Sequence, residues 1–320
     1  MRALSERFRP YEWALSTAEI ARLAGIPPEQ VLRYDGNTPP RPRPSSNVAA
    51  IERELARVNT YAHGGWPELL EAIAHYAGVG TENVVLGAGA DDLIMLVARS
   101  FAGPGDVVSV RDEPTYPVYR VSSWVAGAEV GDDDPVLTFV CRPHNPTGAL
   151  VPLPDVRPLA VDEAYFEYAG GETAAGLLDD SVIVIRTFSK AFGLAGARIG
   201  YALASADTAA ALNERQAPAP ISSISAALAL AGLADPPDVA PTVEERDRLA
   251  AGLRELGLEP APSWANFLYV PVPDAPALTA ALLHKGLAVR GSAEGIRITP
   301  LDAADDDILL RGVAEALGRN

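Results

Sequence analysis

Apolar residues in this chain fall into short unbroken runs separated by helical stretches. Six runs, at 84–86, 107–110, 137–141, 159–161, 182–185 and 199–203, are apolar without alternation. That is the pattern of strands buried on both faces. Stretches 67–76, 92–101 and 224–231 instead space their apolar residues at helical intervals. Strand–helix alternation predicts an α/β fold with a mainly parallel sheet covered by helices. Asp235-Pro236-Pro237 breaks the pattern. Beyond it, a helix (243–256), a strand (266–270), a helix (275–285), two strands (287–289 and 296–299) and a helix (306–317) read as a small α+β unit. Upstream, 17–24 reads as a helix with Ser16 as its N-cap, and the Pro-rich 37–46 as an extended connector. The expected organisation is an arm at 1–46, a large domain at 47–235 and a small domain at 236–320.

Composition narrows the class. The 320 residues are 48% hydrophobic and 21% charged, an ordinary globular balance. No apolar run reaches the ~18 residues of a membrane helix, and no apolar stretch follows the basic N-terminus as in a secretory signal. The only cysteine is Cys141, which excludes disulfides within the chain and makes a reducing cytoplasm the expected compartment. Four scattered histidines offer no zinc-ligand spacing, so no metal is expected. A net charge of -16 argues against nucleic acid as a partner and makes each local cluster of basic residues worth inspecting. Of 26 basic residues only Lys190 and Lys285 are lysines. Where lysine survives in so arginine-rich a chain, the amine itself is the candidate, because a guanidinium stays protonated and is no nucleophile.

Three segments follow predicted strands, at the edge where open α/β sheets place ligands. They are Arg142-Pro143-His144-Asn145-Pro146-Thr147-Gly148, Asp162-Glu163-Ala164-Tyr165, and Thr187-Phe188-Ser189-Lys190 with Arg198 beyond it. Singly, these read as a turn, a helix start and a solvated loop. Together, in this order, they read as a site. Gly87-Ala88-Gly89-Ala90-Asp91-Asp92 adds a glycine turn into a helix, which exposes N–H groups to an anion. It lacks the Gly-x-Gly-x-x-Gly dinucleotide fingerprint. Tyr116 offers either a stacking ring or a core aromatic.

The set Asn145-Pro146-Thr147-Gly148, Asp162-Glu163-Ala164-Tyr165 and Ser189-Lys190 with Arg198 resembles the signature of class I/II aminotransferases. The run from Arg186 to Gly200 resembles the histidinol-phosphate aminotransferase branch, as do Gly89-Ala90-Asp91-Asp92, Tyr61, Tyr11 and Arg297-Ile298-Thr299. The resemblance implies the aspartate-aminotransferase-like fold type I, with helices on both faces of the sheet and a small α+β domain built from both chain ends. It implies pyridoxal 5'-phosphate as cofactor, joined to Lys190 as a Schiff base. Lys190 would then be the general base and acid. Asp162 would pair with the ring nitrogen, and Asn145 and Tyr165 would bond the ring oxygen. Tyr116 would stack on the ring, with Ala90, Asp91, Thr187, Ser189 and Arg198 around the phosphate. Tyr61 would reach the phosphate of a neighbouring subunit, implying a homodimer with shared sites. Arg297, with Arg290, Tyr11 and Asn145, would bind substrate.

The implied reaction is ping-pong amino transfer from histidinol phosphate or an aromatic amino acid to 2-oxoglutarate. Alternatives are a decarboxylase of the threonine-phosphate type and a cofactor-binding module without turnover. A nucleotide-binding protein fails, because Lys190 lacks the glycines of a phosphate loop. Two departures stand out. Only sixteen residues separate Asn145 from Asp162, where relatives carry a helix, and 131–135 is abbreviated. Both look like trimmed surface crossovers.

Overall fold

The computed structural model describes residues 8–40, 46–62 and 64–319. Its helices are α1 (Thr17–Ala24), α2 (Ser46–Leu55), α3 (Pro67–Ala77), α4 (Ala90–Phe101), α5 (Val118–Ala126), α6 (Ala206–Glu214), α7 (Ser223–Ala234), α8 (Ala240–Glu255), α9 (Ala275–Leu283) and α10 (Ala303–Ala316). Its strands are β1 (Leu32–Arg33), β2 (Val84–Gly87), β3 (Val107–Val110), β4 (Glu129–Val130), β5 (Leu137–Cys141), β6 (Leu159–Asp162), β7 (Val182–Thr187), β8 (Gly200–Leu203), β9 (Leu268–Pro271), β10 (Leu287–Ala288), β11 (Arg290–Gly291) and β12 (Gly295–Ile298). The chain forms two units. One comprises 1–11, 41–144 and 151–237; the other comprises 12–40, 145–150 and 238–320.

The first unit holds a seven-stranded sheet in the order β2-β8-β7-β6-β5-β3-β4. The ladders from β7 across to β4 are parallel, and β8 runs antiparallel to both its neighbours. Unbroken apolar runs gave these strands because helices bury their side chains. Alternate residues Leu137, Phe139, Ala160, Ile183, Ile185 and Ala202 pack with Leu93, Ile94 and Val97 of α4 and Tyr119 of α5. Asp162 and Thr187 share that parity and face the same side. The opposite face meets the 3-10 turns Phe166–Tyr168 and Ala175–Asp180, and Tyr76 of α3 reaches Glu167 there. Between β5 and β6 the chain crosses without any helix, in keeping with Pro152, Pro154 and Pro158 in that stretch.

In the second unit β11-β12-β9 form an antiparallel sheet, and β1 pairs with β10 in parallel. Leu249, Leu253, Leu278, Leu282, Leu309 and Val313 pack their helices on Val270, Ile296 and Ile298. α1 begins as read. Ser16 accepts from the Glu19 N–H, Glu19 returns the bond to Ser16 N–H, and Gly25 closes the helix at φ +68°. Residues 41–45 of the expected Pro-rich connector lie outside the described residues. Among the described residues no helix is long and apolar enough to cross a membrane.

Candidate active site

In parallel sheets the residues just past the strand ends converge on one edge. β6 delivers Asp162, with Tyr165 three residues on. β7 delivers Thr187, and Ser189 and Lys190 follow it. β2 leads through the Gly87–Gly89 turn into α4, and β3 leads toward Tyr116.

Asp162 is the most constrained group. It is buried; its Oδ1 accepts from the Ala164 N–H at 3.0 Å and its Oδ2 from the Tyr119 hydroxyl at 2.6 Å. Burial pushes its pKa up to about 6, against the pull of those two donors. The charge of Lys190 also acts on it and favours the carboxylate. The Lys190 ammonium lies 5.8 Å from the centre of the buried Tyr165 ring. Tyr119 itself is sealed, and burial with the neighbouring Asp162 carboxylate holds its phenol well above the usual range. It stacks on Phe139 at 5.3 Å, with the Tyr116 ring edge-on at 5.8 Å. Tyr119 was not singled out in the sequence. Its only signal was its place three residues after Tyr116.

A second group gathers at the N-terminus of α4, whose first-turn N–H groups have no partners within the helix. Asp91 there accepts from the Tyr116 hydroxyl at 2.8 Å and pairs with Arg198 at 3.4 Å. Arg198 holds φ +50° and bonds the Ala195 carbonyl at 3.0 Å. Gly89 turns at φ +89°, a backbone conformation that residues with a side chain rarely adopt. The Thr187 hydroxyl donates to Ser189 Oγ at 3.0 Å and accepts from the Ser189 N–H at 3.1 Å. Helix N–H groups, two hydroxyls and a guanidinium form a donor set suited to a phosphate. The buried Asp162, set against a flat aromatic wall, suits a cationic ring nitrogen. The residues present therefore fit a phosphorylated pyridine. Tyr11 stands edge-on to Tyr116 at 6.5 Å. Tyr61 is 81% exposed and lines a groove of about 750 Å³ with Arg57 and Trp66.

The second unit brings its own predicted residues together. Arg297 donates to Asn145 Oδ1 at 2.6 Å and to the Asp35 carbonyl at 2.8 Å. Its guanidinium lies 5.4 Å from the Phe267 ring centre. Arg290 is the cross-strand register partner of Arg297, so both side chains leave the same face of the sheet. Gly148 turns at φ +77°, and its carbonyl accepts from the Trp264 N–H at 2.8 Å, which ties the Asn-Pro-Thr-Gly turn into this unit.

The family model for aminotransferase class I and II matches residues 32–132 and 131–313. The chain belongs to that family. It is 32% identical to histidinol-phosphate aminotransferase 1 of Dechloromonas aromatica, over 96% of each chain. The structure of histidinol-phosphate aminotransferase from Sinorhizobium meliloti, in complex with pyridoxal-5'-phosphate, superposes with a TM-score of 0.85. That match covers 98% of both chains at 26% identity. A Thermus thermophilus aspartate aminotransferase variant shares the fold, with a TM-score of 0.77 at 24% identity over 99% of both chains. The expected fold type and the expected amino-transfer chemistry thus hold for this chain, and the family implies pyridoxal phosphate as the cofactor. Small-molecule amino donors and oxo acids are the substrates that this class of reaction uses.

Proposed function

We propose that this enzyme moves an amino group from histidinol phosphate or an aromatic amino acid to 2-oxoglutarate, with pyridoxal 5'-phosphate held at the strand ends of the first unit. One observation carries the reading. A buried carboxyl group, Asp162, ends β6, and an amine, Lys190, follows the end of the neighbouring β7, beside a cup of phosphate donors.

When bound, the cofactor supplies an electron sink for bond breaking at the substrate α-carbon. The chain's residues do the rest. Asp162 would keep a proton on the ring nitrogen by offering a desolvated negative charge. Ala90 and Asp91 N–H groups, Thr187, Ser189 and Arg198 would hold the phosphate. Tyr116 would pack against the ring. Tyr165 and Asn145 would donate to the ring oxygen. Lys190 would hold the cofactor through its amine and would carry a proton to and from the substrate carbon. Arg297, steered by Asn145 and the Asp35 carbonyl, takes the anionic end of the substrate. Arg290 adds a second positive charge, which suits a phosphate or a second carboxylate. Tyr11 shields the site beside Tyr116. Tyr61, exposed on one subunit, reaches the phosphate held by a second, so the working unit is a homodimer. A lone buried cysteine suits a reducing cytoplasm.

The test is an absorbance spectrum of the purified protein with pyridoxal phosphate. Bleaching of the bound cofactor's band by histidinol phosphate, and its return with 2-oxoglutarate, supports the whole reading. Response only to other amino acids moves the donor. Release of carbon dioxide from threonine phosphate, without exchange with 2-oxoglutarate, overturns amino transfer in favour of decarboxylation.

A further inference from the structure

On the sheet face away from α4 and α5, β6 and β7 assemble a cluster that the amino-transfer reading leaves unused. Side chains alternate along a strand. Asp162 and Thr187 therefore face α5, and their neighbours Glu163 and Arg186 face the other way. Both are sealed, at 1% and 2% exposure. Arg186 Nε and Nη2 each reach Glu163 Oε2 at 3.0 Å. The Thr173 hydroxyl donates to the same oxygen at 2.8 Å and accepts from Arg186 Nη2 at 2.8 Å. Glu163 Oε1 accepts from the Ala174 N–H at 2.6 Å. The guanidinium lies 3.6 Å from the centre of the Phe166 ring, and Tyr201 of β8 is its register neighbour. Glu167 and Tyr76 complete the titratable surroundings. Burial pushes Glu167 up to about 7, and the Tyr201 phenol and the Glu163 carboxyl both act on the Arg186 guanidinium.

Such a pair adds little stability, because desolvating two charges offsets most of their attraction. Its location says what else it does. The β6–β7 ladder ends at Asp162 and Ile185, closed by the Glu163 N–H on the Ile185 carbonyl at 2.8 Å. Past that bond the ladder is not continued, and both chains run on into the segments that carry the proposed cofactor residues. The pair spans them where the backbone ladder stops.

We infer that Glu163 and Arg186 form a positioning clasp: they lock the strand end carrying Asp162 and Tyr165 to the one carrying Thr187, Ser189 and Lys190. The inference rests on the cofactor reading above. Without the clasp, the carboxylate and the amine lose their fixed separation while the sheet stays whole.

The test compares wild type with the double variant Glu163→Leu/Arg186→Met, which replaces the buried pair by apolar residues of similar volume. A buried pair can be exchanged in this way without unfolding a protein. Three quantities are read: thermal midpoint, affinity for added pyridoxal phosphate, and the pH midpoint of the bound cofactor's absorbance. The clasp predicts a folded double variant that binds the cofactor about tenfold more weakly, with a displaced pH midpoint, because small misplacements of reacting groups are costly. A folded double variant with wild-type affinity and midpoint overturns it. If the double variant does not fold, Thr173→Val decides. That change removes the bridging hydroxyl and leaves both charges. Weaker binding with a displaced midpoint supports the clasp, and unchanged values overturn it. Wild type that takes up no pyridoxal phosphate would instead sink the cofactor reading, and this inference with it.

Discussion

Asp162 sits where a carboxylate is costly. Burial raises its pKa to about 6, and the Tyr119 hydroxyl is the largest influence pulling it back. Tyr119→Phe removes that donor and leaves the ring stacking intact. The Asp162 pKa should rise further, so the carboxylate needed by a cationic ring nitrogen appears only at higher pH. Cofactor affinity, measured across pH, should fall for the variant near and below neutrality and recover toward wild type as pH increases. A parallel curve, or no change, would mean that Tyr119 is only packing. Lys190 poses a sharper case, since its amine has no substitute in the site. Lys190→Ala should lose all turnover and the bound-cofactor absorbance, yet keep its circular dichroism, because the side chain is only partly buried. An active variant would reassign the chemistry. Lys190, Asp162 and Arg198 were legible because each motif is local. Tyr119 on Asp162 and Arg186 on Glu163 were not, since their partners lie 43 and 23 residues away and meet only across the sheet.

Elements were legible in proportion to how much their sequences agreed with their surroundings. α1 carries its own cap and stop signals, and β3 and β5 match their apolar runs end for end. α5 was missed. Its sequence, VYRVSSWVA, is rich in β-branched and aromatic residues, and packing against α4 and the sheet overrides that preference. α10 shows an element held by a titration. Asp306 is fully buried in its first turn and accepts from the Leu301 N–H at 3.1 Å. Its other oxygen finds no donor, and the Glu245 carboxyl of α8 stands near it. Burial, then Glu245, holds the Asp306 pKa well above its ordinary value of 3.8. The folded state therefore keeps a proton that the unfolded chain releases, and this contribution to stability is lost as pH climbs above the carboxylate range. Asp306→Asn fixes the neutral form. Its thermal midpoint should decline less than that of wild type between about pH 5 and about pH 8. Equal declines would place the pH sensitivity elsewhere.

Charge acts on the whole molecule rather than on any one element. Acidic residues outnumber basic ones 42 to 26, and the isoelectric point lies near 4.7. At neutral pH each cationic cluster, whether Arg198 at the head of α4 or Arg290 beside Arg297, works against a negative field that spreads over the surface. The field opposes compactness, and the exposed ion pairs offset little of it. Arg248 with Glu245 and Asp307, or Arg120 with Glu113, is worth at most about 1 kcal/mol while solvated. Two opposed effects of salt follow. Screening weakens those pairs, and it also relieves the repulsion among the excess carboxylates within a screening length of about 10 Å at about 0.1 M salt. With sixteen negative charges in excess, relief wins. The thermal midpoint at about pH 8 should rise by a few degrees as sodium chloride is raised through about 0.3 M. The rise should shrink at about pH 5.5, where many carboxylates have taken up protons and less repulsion remains to be screened. A midpoint that falls with salt at about pH 8 would mean that the local pairs outweigh the global field.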